Sequence, residues 1–265
     1  MRHWVMDYET LSNCFTGVFE HYKTQETEIF VIHDLQNDLD KLINFLEYNI
    51  NNKEWHISYN GLAFDAQVTH YILDNYFLWK DLKGCEIASI IYKYAQICII
   101  KSNNREFSDY PHWKMKMGQI DIFKMHHWDN MAKRSSLKWI QYSMDWQNII
   151  DMPIHHETLI YTQEEIDTIL KYCINDVKST KEIYNRSHSQ VKLRKELTKE
   201  YGINLYSASE PRISKEIFGY FLTKKLGIPK RDLKQMRTYR ETIKVSDIIL
   251  PYISFTSPEF NVLLD

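Results

Sequence analysis

Cysteine is scarce and scattered. Four occur in 265 residues, at Cys14, Cys85, Cys98 and Cys173, and none belongs to a Cys-x-x-Cys pair. That spacing argues against a disulfide framework or a thiolate zinc site and reads as buried thiols in a reducing compartment. No run of about 18 apolar residues is present, which argues against a membrane-spanning helix. The opening stretch from His3 is short and soon carries Asp7 and Glu9, so it does not resemble a signal peptide. An intracellular protein is expected. Internal repeats and low-complexity segments are absent. No Gly-x-Ser-x-Gly occurs and no serine or cysteine sits in a recognisable nucleophile motif, which argues against a catalytic triad.

What is present supports a real core: 44% of residues are hydrophobic and 14% aromatic. The length suits one domain with an appendage, or two small domains. The net charge of −2 hides an asymmetry. Residues 1–177 carry 16 Lys+Arg against 25 Asp+Glu, a net of −9; residues 178–244 carry 17 against 7, a net of +10; the last 21 add −3. An acidic region joined to a basic one fits a carboxylate site beside a phosphate-binding surface. A solvated helical face is the alternative reading of the basic segment.

Patterning predicts a mixed α/β order. His3–Met6, Phe15–Tyr22 and Glu28–Ile32 read as three strands, plausibly an antiparallel meander. Leu35, Leu39, Leu42, Ile43 and Leu46 recur at helical spacing. A strand is predicted over Trp55–Tyr59, a helix over Phe64–Leu73, another along Ile87–Cys98, and a short strand over Gln119–Phe123. Thr162 and Glu165 form a capping-box pattern opening a helix that runs through Ile183. Gly202 marks the end of the next helix. Ser209 and Pro211 open a further one that ends near Gly227. The tail is basic and then β-like around Ile248–Phe255.

Four carboxylates stand out by setting. Asp7 and Glu9 sit two apart at a strand end, so period-2 geometry puts both on one face. Two such groups side by side repel unless a cation lies between them, and magnesium or manganese prefers oxygen ligands. Asp65 begins a helix just after a strand, where a helix cap is the simpler reading. Asp176 lies four residues after Tyr172, one helical turn away on the same face. Alone, Asp176 reads as solvated and Tyr172 as a packing residue. The joint pattern changes the weight of each.

Together these stretches resemble a known family. Asp7-Tyr8-Glu9-Thr10 resembles the first exonuclease motif of the DEDD superfamily. Asn60-Gly61-Leu62-Ala63-Phe64-Asp65 resembles the second motif in the form found in family B DNA polymerases, and Tyr172-Cys173-Ile174-Asn175-Asp176-Val177 resembles the third. The histidine branch of the superfamily has a His five residues before the last Asp, where this chain has Lys171. Tyr172 matches the tyrosine branch, so the eleven histidines read as surface or satisfied core residues.

The resemblance covers residues 1–190. It implies a ribonuclease H-like fold, a mixed sheet flanked by helices, with 191–265 as a mostly helical basic extension. It also implies 3′→5′ hydrolysis of single-stranded DNA by two divalent ions, Mg2+ or Mn2+, about 4 Å apart. Asp7, Glu9, Asp65 and Asp176 would be the ligands, Asp65 through water or by completing the acidic ring, and Tyr172 would orient the attacking water. Thr10, Leu11, Asn60 and Phe64 would meet the terminal nucleotides. Asp121 resembles a strand aspartate that lines the cleft in relatives; a buried hydrogen-bonded carboxylate or an edge residue is an equal reading. Some phage enzymes add a catalytic lysine between the second and third motifs. Lys138 is the nearest candidate here, but it sits in an ordinary helical context. The early first motif resembles compact phage and viral polymerases, and the apolar end Phe260–Asp265 resembles a cut point before a polymerase region. A stand-alone DNA or RNA exonuclease and an inactive single-strand-binding module are the alternatives. No membrane partner is expected.

Overall fold

β1 (His3–Leu11) and β2 (Cys14–His21) form an antiparallel hairpin, and β3 (Thr27–Ile32) extends it as the expected meander. The computed structural model describes residues 3–264 except 234 and 237, with Lys133 described by its backbone only; Asp265, the last residue of the apolar end, lies outside the described residues. β4 (Trp55–Ser58) and β5 (Gly118–Asp121) add in parallel on the other side of β1, giving the order β3-β2-β1-β4-β5. The protein is thus α/β, with a five-stranded mixed sheet flanked by helices.

Alternation along β1 sorts its side chains between two cores. Trp4, Met6 and Tyr8 face one way, into a core built with α1 (Leu39–Asn51), α2 (Asp65–Asn75) and α3 (Gly84–Asn104). Val5 faces the other way. It packs with Ile57, Ile120 and residues of α4 (Ile122–Met125), α5 (Leu137–Ser143) and α6 (Gln163–Arg186). Asp7 and Glu9 share the face of Val5, as period 2 requires.

Three boundaries differ from the sequence expectation. Leu35 is not helical and is exposed, because the chain after β3 turns back through an Ile32–Asn37 bridge and α1 starts only at Leu39. β5 ends at Asp121, whose side chain accepts the backbone N–H of Lys124 at 3.1 Å and so opens α4 where a strand was expected to continue. Residues 248–255 form turns and coil, not a strand. A lone apolar stretch gains no ladder hydrogen bonds without a partner.

The capping box at Thr162 is present: Thr162 Oγ1 accepts from Glu165 N at 3.3 Å, and Glu165 Oε2 accepts from Thr162 N at 3.0 Å. α6 runs on to Arg186, past the expected Ile183. α7 (His188–Tyr201) ends on Gly202 in the left-handed conformation, φ 67°, and α8 (Glu210–Leu226) ends just before Gly227.

The first compact unit is Met1–Ser214 and the second Lys215–Asp265, a later division than the boundary at residue 190 that the motifs suggest. The reason is physical. Arg194 of α7 is buried and donates to the carbonyls of Gln190, Met125 and Ala208. Ser207 Oγ accepts from Asp121 N and donates to Gln119 O, so this segment covers the free edge of β5. In the second unit no large apolar side chain is buried among the described residues. It holds the end of α8, α9 (Lys230–Leu233) and α10 (Pro258–Val262).

Candidate metal centre and cleft

The parallel strands β1 and β4 part at their C-terminal ends, while β4 and β5 stay paired to Ser58 and Asp121. β1 pairs with β4 only through Val5, opposite Ile57, and β4 leaves the sheet after Ser58. Open α/β sheets bind ligands outside the carboxyl ends of such strands. The backbone N–H of Tyr8, left without a strand partner on that side, donates to Asp65 Oδ1 at 3.2 Å. The turn after β4 is tight. Asn60 is left-handed, φ 65°, and a Cβ on Gly61 would meet Ser58 Oγ at 1.8 Å and Asp65 Oδ2 at 3.3 Å. Glycine at 61 is therefore what lets the turn fold against the carboxylate.

Asp7, Glu9 and Asp176 converge. One carboxylate oxygen from each lies within 4.8 Å of the others. Asp7 and Glu9 are half-buried, and Asp176 is buried on the inner face of α6. All three carboxyls are pushed upward. For Asp7 the cause is burial, then repulsion from Glu9, Asp65 and Asp176. Glu9 rises to about 8 through burial, then Asp176 and Asp65, while Asp7 as hydrogen-bond partner and the Lys138 charge oppose the rise. Asp176 rises through burial, opposed first by its bond from Gln141. This mutual repulsion fits a hard divalent cation: the donor set is all oxygen, anionic and short of positive charge.

Asp65 stands behind this trio. It is buried, raised to about 7 mainly by burial, and is held by the Tyr8 amide. Its charge reaches Asp7 and Glu9, but its oxygens are not among the converging three. Tyr172 is buried one turn before Asp176 with its hydroxyl against that carboxylate, and burial raises its phenol strongly. Lys138 Nζ lies 5.8 Å from the centre of the Tyr172 ring and pairs with Asp151 at 2.6 Å. It lies on α5, as its helical context predicts, and the fold sets its charge beside the acidic cluster.

Asp7, Glu9 and Asp176 line an open cleft of about 520 Å3 together with Tyr59, Asn60, Phe123 and residues 134–137. Of the residues implied to meet nucleotides, Asn60 lines this cleft. The other three do not. Leu11 is fully buried among Cys14, Val31 and Ile160, Thr10 is buried, and Phe64 packs on the core beneath α2. Asp121 takes the buried reading: fully enclosed, it accepts from Asn60 N at 3.1 Å and Leu62 N at 3.0 Å and so holds the turn. Burial raises it to about 6.

Sequence reading missed Gln141. This fully buried amide donates from Nε2 to Asp176 Oδ1 at 2.9 Å and to Ser179 Oγ at 2.8 Å. One signal existed: Leu137, Ile140 and Met144 mark an apolar helical face, and Gln141 is the polar residue on it. Ser136 and Leu137 were also missed as cleft-lining residues, because nothing local distinguishes them.

Among the described residues no histidine joins the acidic cluster. All four cysteines are free; Cys14, Cys98 and Cys173 are buried and Cys85 is half-buried. Among the described residues no helix is long and apolar enough to cross a membrane. The sequence matches no protein-family model and no curated protein.

Proposed function

We propose that this chain is a metal-dependent 3′→5′ exonuclease acting on the end of single-stranded DNA. The observation that carries the reading is the convergence of Asp7, Glu9 and Asp176 within 4.8 Å, with Tyr172 against Asp176, in an open cleft at the ends of the parallel strands. Those residues come from three sequence stretches that resemble the three DEDD motifs. The strand order and the mixed pairing of the sheet support a ribonuclease H-like fold.

Asp7, Glu9 and Asp176 would hold Mg2+ or Mn2+, with Asp65, held by the Tyr8 amide, completing the acidic ring or binding through water. When bound, two such ions would supply an activated water and stabilise the leaving 3′-oxygen. The chain's own groups do the rest. Tyr172 is positioned to orient a water beside Asp176. Lys138, beside the Tyr172 ring, and Arg134, in the cleft lining, supply positive charge next to the carboxylates where a phosphodiester must bind. Asn60, held by Asp121, lines the path of the strand end. The resemblance to phage and viral family B polymerases further proposes a proofreading role, with a polymerase region or replication proteins as partners.

The test is digestion of 5′-labelled single strands, DNA and RNA in parallel, with Mg2+ or Mn2+. Laddering from the 3′ end is expected, abolished by EDTA and by Asp7→Ala combined with Glu9→Ala. Cleavage that survives the double substitution would overturn the site. Equal rates on RNA would move the substrate assignment. Tight strand binding without any cleavage would favour a binding module.

A further inference from the structure

A second groove adjoins the carboxylate cleft. It encloses about 430 Å3 between the C-terminal end of α3, residues 108–115 and residues 123–134. Asn60, Phe123 and Arg134 line both spaces and so form the boundary between them. The groove has a built wall. Gln67, itself buried, donates from Nε2 to the carbonyls of Leu62 and Tyr110, both at 2.9 Å, and accepts from Tyr110 N at 3.0 Å.

Its charges are unequally satisfied. Asp109 takes Lys101 Nζ at 2.5 Å and the Tyr94 hydroxyl at 3.2 Å. Asp129 takes Lys124 at 3.0 Å through Oδ2. Glu106 accepts from Asn104 at 3.0 Å. Among the described residues Arg105 and Arg134 have no carboxylate partner. Arg105 also occupies an unusual place. It is the left-handed C-cap of α3, φ 58° and ψ 34°, a position where glycine or asparagine suits the backbone better. At that position its side chain lines the groove.

We propose that this groove binds the sugar–phosphate backbone of a single-stranded polynucleotide upstream of its 3′ end, with Arg105 and Arg134 meeting its phosphates. The inference rests on the nuclease reading above and extends it. A strand whose last phosphodiester lies at the carboxylates must leave that cleft, and the adjoining groove offers unpaired guanidinium groups for phosphates. Tyr110, Phe123 and Met115 add apolar surface for sugars and bases.

The test is fluorescence anisotropy of labelled oligothymidylates, two to eight nucleotides long, with the whole chain in calcium. The unsubstituted protein should bind the hexamer at least about tenfold more tightly than the dimer. Arg105→Gly should weaken hexamer binding about tenfold, leave dimer binding within about twofold, and flatten the salt dependence by about one phosphate contact. Arg105→Lys should restore most of the loss. The Arg105→Gly melting temperature should be unchanged or higher, because glycine suits the left-handed cap, so lost binding is not lost folding. Equal affinity for dimer and hexamer, or an Arg105→Gly protein that keeps the full length gain, would overturn the groove assignment. Hydrolysis in magnesium separates the two readings. Length-dependent binding without cleavage overturns the nuclease and leaves the groove; cleavage without length dependence overturns the groove alone.

Discussion

Gln141 shows what one buried amide does to a charged site. Asp176 is held against like charges by its backbone position on α6, and the hydrogen bond from the Gln141 amide is what chiefly opposes the rise of its carboxyl. Replacing it by Leu keeps the volume and removes the donor. Gln141→Leu should weaken Mn2+ binding, read by electron paramagnetic resonance, by about tenfold, since a hydrogen bond to a charged group contributes about 1.5–3 kcal/mol. Gln141→Asn should not match the native affinity, because the shorter side chain cannot span to both Asp176 and Ser179. Unchanged Mn2+ affinity in Gln141→Leu would reduce this residue to packing. At this scale the carboxylates were legible because each sits in a short motif with its neighbours. Gln141 was not, because its partner lies 35 positions away and on another helix.

Element ends decide whether those side chains meet. α6 carries Tyr172, Cys173 and Asp176, and its start is set by the Thr162–Glu165 box. Thr162→Ala should cost about 1 kcal/mol, a fall of roughly 2–4 °C in melting temperature for a unit of this size. Metal affinity should hardly change, since the cap lies more than two turns from Tyr172. A large loss of affinity with no fall in melting temperature would contradict that separation. The box, the meander and the glycine helix stops were readable from local chemistry. The end of β5 was not. Gln119 to Phe123 alternates like a strand, but Asp121 prefers the Lys124 and Asn60 amides to a further ladder, and that choice depends on where the 60–62 turn lies. Leu35 failed similarly: its spacing fits α1, yet the chain reverses at Asn37 before the helix begins.

The whole molecule carries two measurable consequences. Glu9, Asp65, Asp7 and Asp176 all have raised carboxyl pKa values in the metal-free fold, Glu9 to about 8 and Asp65 to about 7. Such groups bind protons more tightly folded than unfolded. Their contribution is therefore favourable below the ordinary carboxyl range and is lost as pH rises through the folded values. In EDTA the melting temperature should fall between about pH 5 and 8.5, and saturating Mg2+ or Mn2+ should remove most of that fall by binding only the folded, ionised site. A melting temperature that climbs over this range in EDTA would contradict the cluster. The second consequence concerns the division at Ser214. Limited proteolysis should cut first beyond it, where no large apolar side chain is buried, and the remaining fragment should still melt cooperatively. Early cuts between residues 191 and 214 would place the boundary back near 190.

Local pattern determined the strands, most helices, and the pairing of Asp7 with Glu9 on one strand face and of Tyr172 with Asp176 on one helix face, because period-2 and period-3.6 spacing and helix caps act over a few residues. Tertiary structure decided the rest. It brought Asp176 to the Asp7–Glu9 strand end, left Asp65 outside the converging trio, buried Leu11 and Thr10, set Gln141 on Asp176 and Lys138 by Tyr172, and put Arg105 in the adjoining groove. Those outcomes depend on where strands diverge and which faces pack, and the energies that settle them come from contacts between residues far apart in the chain.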